Sequence, residues 1–143
     1  MSTSKGEFEI STDRSRLEVD AIHDFLTSES YWAKNRSREQ TERAIENSLC
    51  FGIYRGEKLV GFARVVSDFA TFAYVGDVFV IREFRGRGLS KWLMETIIAH
   101  PELQGLRRWI LATRDAHGLY EQFGFGELAH PERWMERPAP DAY

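Results

Sequence analysis

The run TFAYVGDVFVI, residues 71–81, constrains the fold more than any other segment of this chain. It is a β-type run in which the apolar residues of 78–81 fall on both alternating faces, a pattern typical of a strand buried on both sides. A few residues later, Leu89, Trp92 and Leu93 are spaced as on one face of an amphipathic helix. The sequence therefore predicts an α/β fold with a mixed sheet, in which a central strand leads into a helix.

Hydrophobic periodicity along the rest of the chain predicts the element order β, α, α, β, β, β, α, β, α, β, β. The two strands before the central one are joined at residues 55–58 by a glycine-containing hairpin turn. A final pair of edge strands is predicted within residues 126–137. We expect one domain over residues 1–143, of which residues 1–6 and 138–143 are loose.

The composition argues against several classes of function. With 143 residues and a formal net charge of -3, the chain lacks the basic surplus of a general nucleic-acid-binding protein. Its four histidines match no metal-ligand spacing, and its single cysteine, Cys50, cannot form an internal disulfide. No segment has the apolar length of a signal-peptide core or a membrane span. We therefore expect a cytoplasmic protein without a metal, a nucleic-acid partner or a membrane partner.

The stretch between the central strand and the helix, EFRGRGLSKWLM at residues 83–94, combines glycines with positive charge. Gly86 and Gly88 can adopt backbone angles that other residues avoid, and a helix beginning near Gly88 presents unpaired N–H groups and the positive end of its dipole. Three basic residues stand beside them: Arg85, Arg87 and Lys91. The pattern predicts a site for a di- or triphosphate, and a simple tight turn with solvated arginines is the alternative.

Two segments of the chain resemble the GNAT superfamily of acyl-coenzyme A (acyl-CoA) dependent N-acyltransferases. The first, residues 77–94, is similar to that family's strand, pyrophosphate loop and helix, with Gly86 and Gly88 at its two glycine positions. The second, LATRDAHGLYEQFGF at residues 111–125, is similar to the family's strand and helix ending in Leu-Tyr-Glu-x-x-Gly-Phe. The resemblance implies a three-layer fold with a mostly antiparallel central sheet flanked by helices, which agrees with the predicted element order.

The same resemblance implies transfer of an acetyl group from acetyl-CoA to an amine by direct attack in a ternary complex. It makes Tyr120 the acid that protonates the departing thiolate. Asp77 is a candidate general base, with an ion pair to a nearby arginine as the equal alternative. The family pattern differs at Glu83, where it has arginine or glutamine, and at Asp115, where many relatives carry asparagine. The residues implied in cofactor binding are Val78, Phe79, Val80, Arg85, Gly86, Arg87, Gly88, Leu89, Ser90, Asp115 and Tyr120.

The acceptor side carries weaker signals. By resemblance, the segment between the first two helices covers the acceptor, and Tyr31 and Trp32 are expected to form an aromatic wall there; hinge packing is the alternative. The same two roles are open for Tyr74, a candidate acceptor contact in the TFAY stretch of the central strand. His117 is a further candidate base, but its place in the first turn of a helix favours a surface role. We expect a primary amine of a small molecule as the acceptor. A non-catalytic acyl-CoA sensor and a protein lysine or N-terminal acetyltransferase are the alternatives, and a homodimer is left open.

Overall fold

A computed structural model describes residues 1–142, which form a six-stranded sheet with helices on both faces. No helix within this part of the chain is long and apolar enough to span a bilayer. The strands are β1 Ser2–Lys5, β2 Phe8–Ser11, β3 Leu49–Arg55, β4 Lys58–Ser67, β5 Phe72–Val80 and β6 Arg108–Ile110. The α-helices are α1 Val19–Glu29, α2 Arg38–Glu46, α3 Leu89–Ile98 and α4 His117–Glu121.

The strands lie side by side in chain order. Neighbours run antiparallel from β1 to β5, whereas the last pair, β5 and β6, is parallel. A parallel pair needs a crossover connection, and α3 with the turns around it provides one. The mixed α/β class with a mostly antiparallel sheet, predicted from the sequence, is confirmed.

Two local sequence signals form the structures that they predict. In the hairpin between β3 and β4, Arg55 pairs with Lys58, and Gly56 has the left-handed φ of 62° that the turn requires. At the start of α2, the Ser37 hydroxyl accepts the N–H of Gln40 at 3.1 Å, and the Gln40 side chain accepts the N–H of Ser37 at 2.9 Å. This reciprocal capping box fixes where α2 begins.

The sheet separates two apolar cores. On one face the sheet packs against α3 and α4, and Leu93 and Ile97 of α3 are fully buried there. On the other face it packs against α1 and α2, with Ile22, Leu26 and Ile45 in the core. The central strand contributes to both cores, which explains why its sequence is apolar on both faces.

A bulge interrupts the pairing of β5 with β4. Between the pairs Phe62↔Phe79 and Arg64↔Gly76 the register shifts, because β5 contains one residue more than its partner. Asp77 lies in this bulge with a φ of 51°, a left-handed conformation that costs about 1–3 kcal/mol for a residue other than glycine. The extra residue reverses the alternation of side chains along the rest of the strand, and this determines which of them reach the candidate site.

The beginning of the chain differs from the sequence prediction. Residues 1–6 were expected to be loose, but they contain β1, which pairs with β2 from Ser2↔Ser11 to Lys5↔Phe8. The turn is made at Gly6, with a φ of 61°. Sequence reading misses this strand because its four residues, STSK, include no apolar side chain.

The predicted pair of edge strands in residues 126–137 is wrong. This segment contains no strand, and a turn of 3₁₀ helix at Pro131–Arg133 divides it. Proline lacks the N–H that a sheet ladder uses, and most side chains of the segment are exposed. Residues 138–142 contain neither helix nor strand, and residue 143 lies outside the described residues.

The buried position of Cys50 leads to a prediction about thiol chemistry. Only 4% of Cys50 is exposed, and burial raises the pKa of its thiol to about 11. At pH 8 only about one such thiol in a thousand is ionised, and the thiolate is the reactive form. We expect the native protein to show no fast reaction with a thiol reagent at pH 8, and one reactive thiol per chain after denaturation. Fast reaction of the native protein would contradict the buried position.

Candidate active site

A cleft opens in the sheet between the parallel strands β5 and β6. The two strands pair only from Phe72↔Arg108 to Tyr74↔Ile110, and within residues 1–142 no strand pairs with this edge of β5 beyond that point. The outward N–H and C=O groups of residues 75–80 therefore face the cleft instead of a neighbouring strand. A strand edge of this kind can bind an extended ligand as if the ligand were an additional strand.

Two adjoining cavities occupy the cleft. The larger, ≈ 570 Å³, lies between the end of α1, β5 and α4, and it reaches the loop before α3. The smaller, ≈ 320 Å³, lies beside the bulge of β5. Both volumes are in the range of small-molecule sites. The residues that line both cavities are Tyr31, Trp32, Val78, Asp115, Ala116 and Tyr120.

The loop before α3 presents backbone N–H groups at one end of the cleft. Gly86 and Gly88 have φ angles of 78° and 77°, and Gly88 is the N-cap of the helix. The N–H of Trp92 donates to the Gly88 carbonyl at 3.0 Å, so the N–H groups of residues 89–91 lack an acceptor within the helix. A Cβ at either glycine would meet no atom within 4 Å, so the left-handed backbone rather than crowding favours glycine here.

The three basic side chains of this loop have different surroundings. The Arg85 guanidinium donates to the Val80 carbonyl at 2.9 Å and lines the larger cavity. Arg87 lies on the other side of the loop, 3.6 Å from the Glu7 carboxylate, and among the described residues neither Arg87 nor the exposed Lys91 lines a cavity of the cleft. Arg85 is therefore the basic side chain of this loop that reaches the cleft.

Tyr120 of α4 places a phenol beside both cavities. Its ring packs edge-on against Phe125, with 6.1 Å between the ring centroids, and 8% of the residue is exposed. Burial raises the pKa of Tyr120, and the nearby Tyr31 and Asp115 raise it further. Within residues 1–142 no hydrogen bond occupies its hydroxyl. Tyr120 therefore keeps its proton through neutral pH and can donate it to a group in the cleft.

Asp77, the candidate general base, lies in a buried ion-pair cluster. Its Oδ2 atom is 2.6 Å from Arg36 Nη1 and 2.6 Å from Arg64 Nε, and its Oδ1 accepts the indole N–H of Trp32 at 2.7 Å. Burial alone would raise the pKa of Asp77, but the hydrogen bonds and charges of the two arginines outweigh it and lower the pKa. Such a carboxylate binds a proton poorly near neutral pH, so the geometry favours the ion-pair alternative over general-base catalysis.

Tyr31 and Trp32 form an aromatic wall between α1 and α2. Their rings meet edge to face with centroids 5.0 Å apart, and the Tyr31 hydroxyl accepts the N–H of Arg114 at 2.8 Å. Across the smaller cavity, the ring of Tyr74 lies so close to Gly76 that a Cβ there would come within 2.9 Å of a ring carbon. The cavity thus has aromatic side chains on two sides.

The structure brings together most of the predicted site residues. Those predicted for the cofactor that line the larger cavity are Val78, Phe79, Val80, Arg85, Ser90, Asp115 and Tyr120. Gly86, Arg87 and Gly88 lie in the adjoining loop, and the side chain of Leu89 is buried in the core, which leaves only its N–H for a ligand. His117, at the start of α4, lines neither cavity of the cleft.

Sequence reasoning missed three arginines around the cleft: Arg36, Arg64 and Arg114. Arg64 gave a usable signal, because it is a charged residue inside the apolar strand β4. Arg36 lies among polar residues between two helices, and its partner is 41 positions away. The backbone N–H of Arg114 donates to the Tyr31 hydroxyl, and the Arg114 guanidinium lies 3.9 Å from the centroid of the Tyr31 ring. No sequence pattern indicates this contact.

Comparisons with known proteins identify the family. The model of the Acetyltransferase (GNAT) family matches residues 19–125. A protein of Gibberella zeae with a provisional acetyltransferase assignment is 32% identical in an alignment of length 139, and the match covers 82% of this chain and 77% of the relative. The chain therefore belongs to the GNAT acetyltransferase family, as its motifs predict.

Solved structures agree with this assignment. The crystal structure of a GNAT-family protein from Xanthomonas campestris pv. campestris has a TM-score of 0.91 and 53% sequence identity, covering 93% of this chain and 94% of that one. A Clostridium acetobutylicum protein, whose crystal structure was determined with acetyl-CoA, has a TM-score of 0.65 and 13% identity, with 96% of each chain covered. The latter likeness shows the shared fold.

Proposed function

We propose that this protein is an acetyl-CoA dependent N-acetyltransferase that acetylates a primary amine of a small molecule by direct attack in a ternary complex. The observation that carries this proposal is the unpaired edge of β5, which runs from the N–H-rich loop at residues 85–90 to the phenol of Tyr120. A linear ligand with a phosphate group at one end and a reacting group at the other matches this order of features.

The cleft fits the chemistry of acetyl-CoA. The pyrophosphate would lie at the N–H groups of residues 86–90 and near the guanidinium of Arg85, whose backbone N–H donates to the Arg82 carbonyl. The pantetheine arm has amide groups, which the edge of β5 at Val78 and Val80 can pair with in the manner of a strand, although the Val80 carbonyl already accepts from Arg85. When bound, acetyl-CoA would supply an activated acetyl thioester. The chain's part is to orient it and to provide a proton.

Tyr120 is the group that we assign to proton donation. It is buried, it lines both cavities, and its raised pKa keeps it protonated at the pH where an amine acceptor reacts. A positioned acid of this kind typically contributes about 10²–10⁴-fold to the rate. An oxyanion would be stabilised by a main-chain N–H of β5 that faces the cleft.

The acceptor would bind in the smaller cavity. Its volume of ≈ 320 Å³ and its walls of Tyr31, Trp32 and Tyr74 suit a small molecule with an apolar part. With Asp77 held in its ion pairs, we assign no side chain to deprotonation of the amine, and solvent in the open cleft accepts its proton. The rate should therefore increase with pH as the amine becomes neutral.

The test is a panel of small amines, a lysine-containing peptide and a peptide with a free N-terminus, each incubated with acetyl-CoA and followed by release of free thiol. We expect a small primary amine to be acetylated faster than either peptide. Because Cys50 should not react in the native state, the thiol signal reports coenzyme A alone. Acetylation of only the peptides would favour a protein acetyltransferase. Cofactor binding without any acetylation would favour the sensor.

A further inference from the structure

Asp77 connects the strand that would bind the donor to the segment that would cover the acceptor. Three residues from two parts of the fold donate to its carboxylate: Trp32 and Arg36 from the connection between α1 and α2, and Arg64 from β4. A second bond from Arg36, at 3.2 Å to Oδ1, completes four hydrogen bonds. A carboxylate has about four lone-pair sites, so its accepting capacity is filled.

The bulge is what makes this connection. The left-handed conformation at Asp77 inserts one extra residue into β5, and the side chain of Asp77 meets Trp32 and Arg36. The next residue, Val78, lines both cavities. The bulge therefore positions both the open edge of β5 and the Asp77 carboxylate, to which Trp32 of the aromatic wall is bonded.

The cluster is almost completely removed from solvent. The side chains of Arg36 and Asp77 are 4% and 3% exposed, and that of Arg64 is 15% exposed. Buried ion pairs often stabilise a protein no better than apolar residues of the same size would, so their role must be sought in geometry. Here the cluster fixes the position of Trp32, which donates a hydrogen bond to Asp77. Because the ring of Tyr31 packs against Trp32, the position of Tyr31 is fixed as well.

We propose that Asp77 is a positioning residue, which holds the Tyr31–Trp32 wall against the bulge of β5 and so sets where the acceptor binds. We call the hydrogen bond from the Trp32 indole to Asp77 the tether. The inference rests on the proposed function for its kinetic consequences, but the tether itself exists in the free protein. Its loss should loosen residues 30–36 and weaken acceptor binding, while the loop at residues 85–90 stays intact.

The first test measures hydrogen exchange of residues 30–36 in the free protein. Trp32→Phe removes the indole N–H and keeps an aromatic ring, whereas Asp77→Asn removes the charge. We expect both variants to increase backbone exchange in this segment about tenfold or more. Trp134→Phe, a matched change of a partly exposed tryptophan outside the cleft, should leave it unchanged. Wild-type exchange in a folded Trp32→Phe variant would overturn the inference, even if Asp77→Asn fails to fold.

The second test measures kinetics with the amine identified in the panel. We expect Trp32→Phe and Asp77→Asn to raise the acceptor KM about tenfold, with the Kd for acetyl-CoA unchanged and the shape of the pH profile retained. The double variant should be little worse than Asp77→Asn alone, because Trp32→Phe removes only the one hydrogen bond that Trp32 donates to Asp77. A general base gives a different result: Asp77→Asn would lower kcat about 100-fold, whereas Trp32→Phe would leave kcat unchanged.

The two hypotheses fail in different ways. If no amine is acetylated but exchange of residues 30–36 rises in both variants, the proposed function fails and the tether stands. If a small amine is acetylated normally by Trp32→Phe and its exchange matches the wild type, the proposed function stands and the tether fails.

Discussion

Replacement of Tyr120 with phenylalanine is expected to lower kcat by about 10²–10³-fold while the Kd for acetyl-CoA changes less than about threefold. The change removes one oxygen from a ring that packs edge-on against Phe125, so the packing of α4 is retained. The proton for the leaving thiolate would then have to come from water. Steady-state kinetics and a binding titration on the same preparation separate the two effects.

Tyr54→Phe is the matched control. Tyr54 is also buried, 1% exposed, but it lies in the core beneath α1 and α2 and lines neither cavity of the cleft. Its hydroxyl has no hydrogen-bond partner within residues 1–142, so its loss should leave both turnover and stability near the wild-type values. Equal turnover of the Tyr120 and Tyr54 variants would remove Tyr120 from the acid role.

The second large effect is expected from glutamate at the glycines of the loop before α3. Saturating acetyl-CoA, at about 100 times its Kd, should stabilise the wild-type protein by about 2.7 kcal/mol, which raises Tm by roughly 5–10 °C. Gly86→Glu and Gly88→Glu should abolish this rise, because each places a negative charge where we propose that the pyrophosphate binds. Differential scanning fluorimetry with and without the ligand measures it.

Gly56→Glu separates this effect from backbone strain. Gly56 also has a left-handed φ, 62°, and free space for a Cβ, but it lies in the hairpin between β3 and β4. All three variants should lose about 1–2 kcal/mol in the absence of ligand, since a non-glycine residue is strained in this conformation. Only the Gly56 variant should keep the full ligand-induced rise. Retention of that rise by both loop variants would disprove the assigned pyrophosphate site.

The parts of the fold that follow from local patterns were predictable. The central strand, α3, the hairpin at residues 55–58 and the capping box of α2 each depend on residues within one short window. The strand β1 was not predictable in the same way, because its polar sequence forms a strand only by pairing with β2. The false pair of strands at residues 126–137 shows the opposite error, since no strand of the described residues lies beside this segment to pair with it.

In the candidate site, too, the residues that belong to short sequence motifs were predictable and those joined only by the fold were not. The glycines of the loop and Tyr120 belong to contiguous motifs, so their neighbourhood could be inferred from the sequence alone. The partners of Asp77 could not, because Arg36 and Arg64 lie 41 and 13 positions away and join it only after the sheet has formed. Sequence reading named Asp77 as a candidate general base with an ion pair as the equal alternative, and its surroundings favour the ion-paired role.

The incomplete pairing of β5 with β6 has a consequence for the behaviour of the free protein in solution. Donors and acceptors along residues 75–80 form an edge within the sheet rather than at its border, and a strand from another molecule can pair with such an edge. An occupant of the cleft would cover these groups and block that association. Ligand binding and resistance to aggregation would then both depend on residues 75–80. A variant of this segment that no longer binds the ligand is therefore also at risk of aggregating.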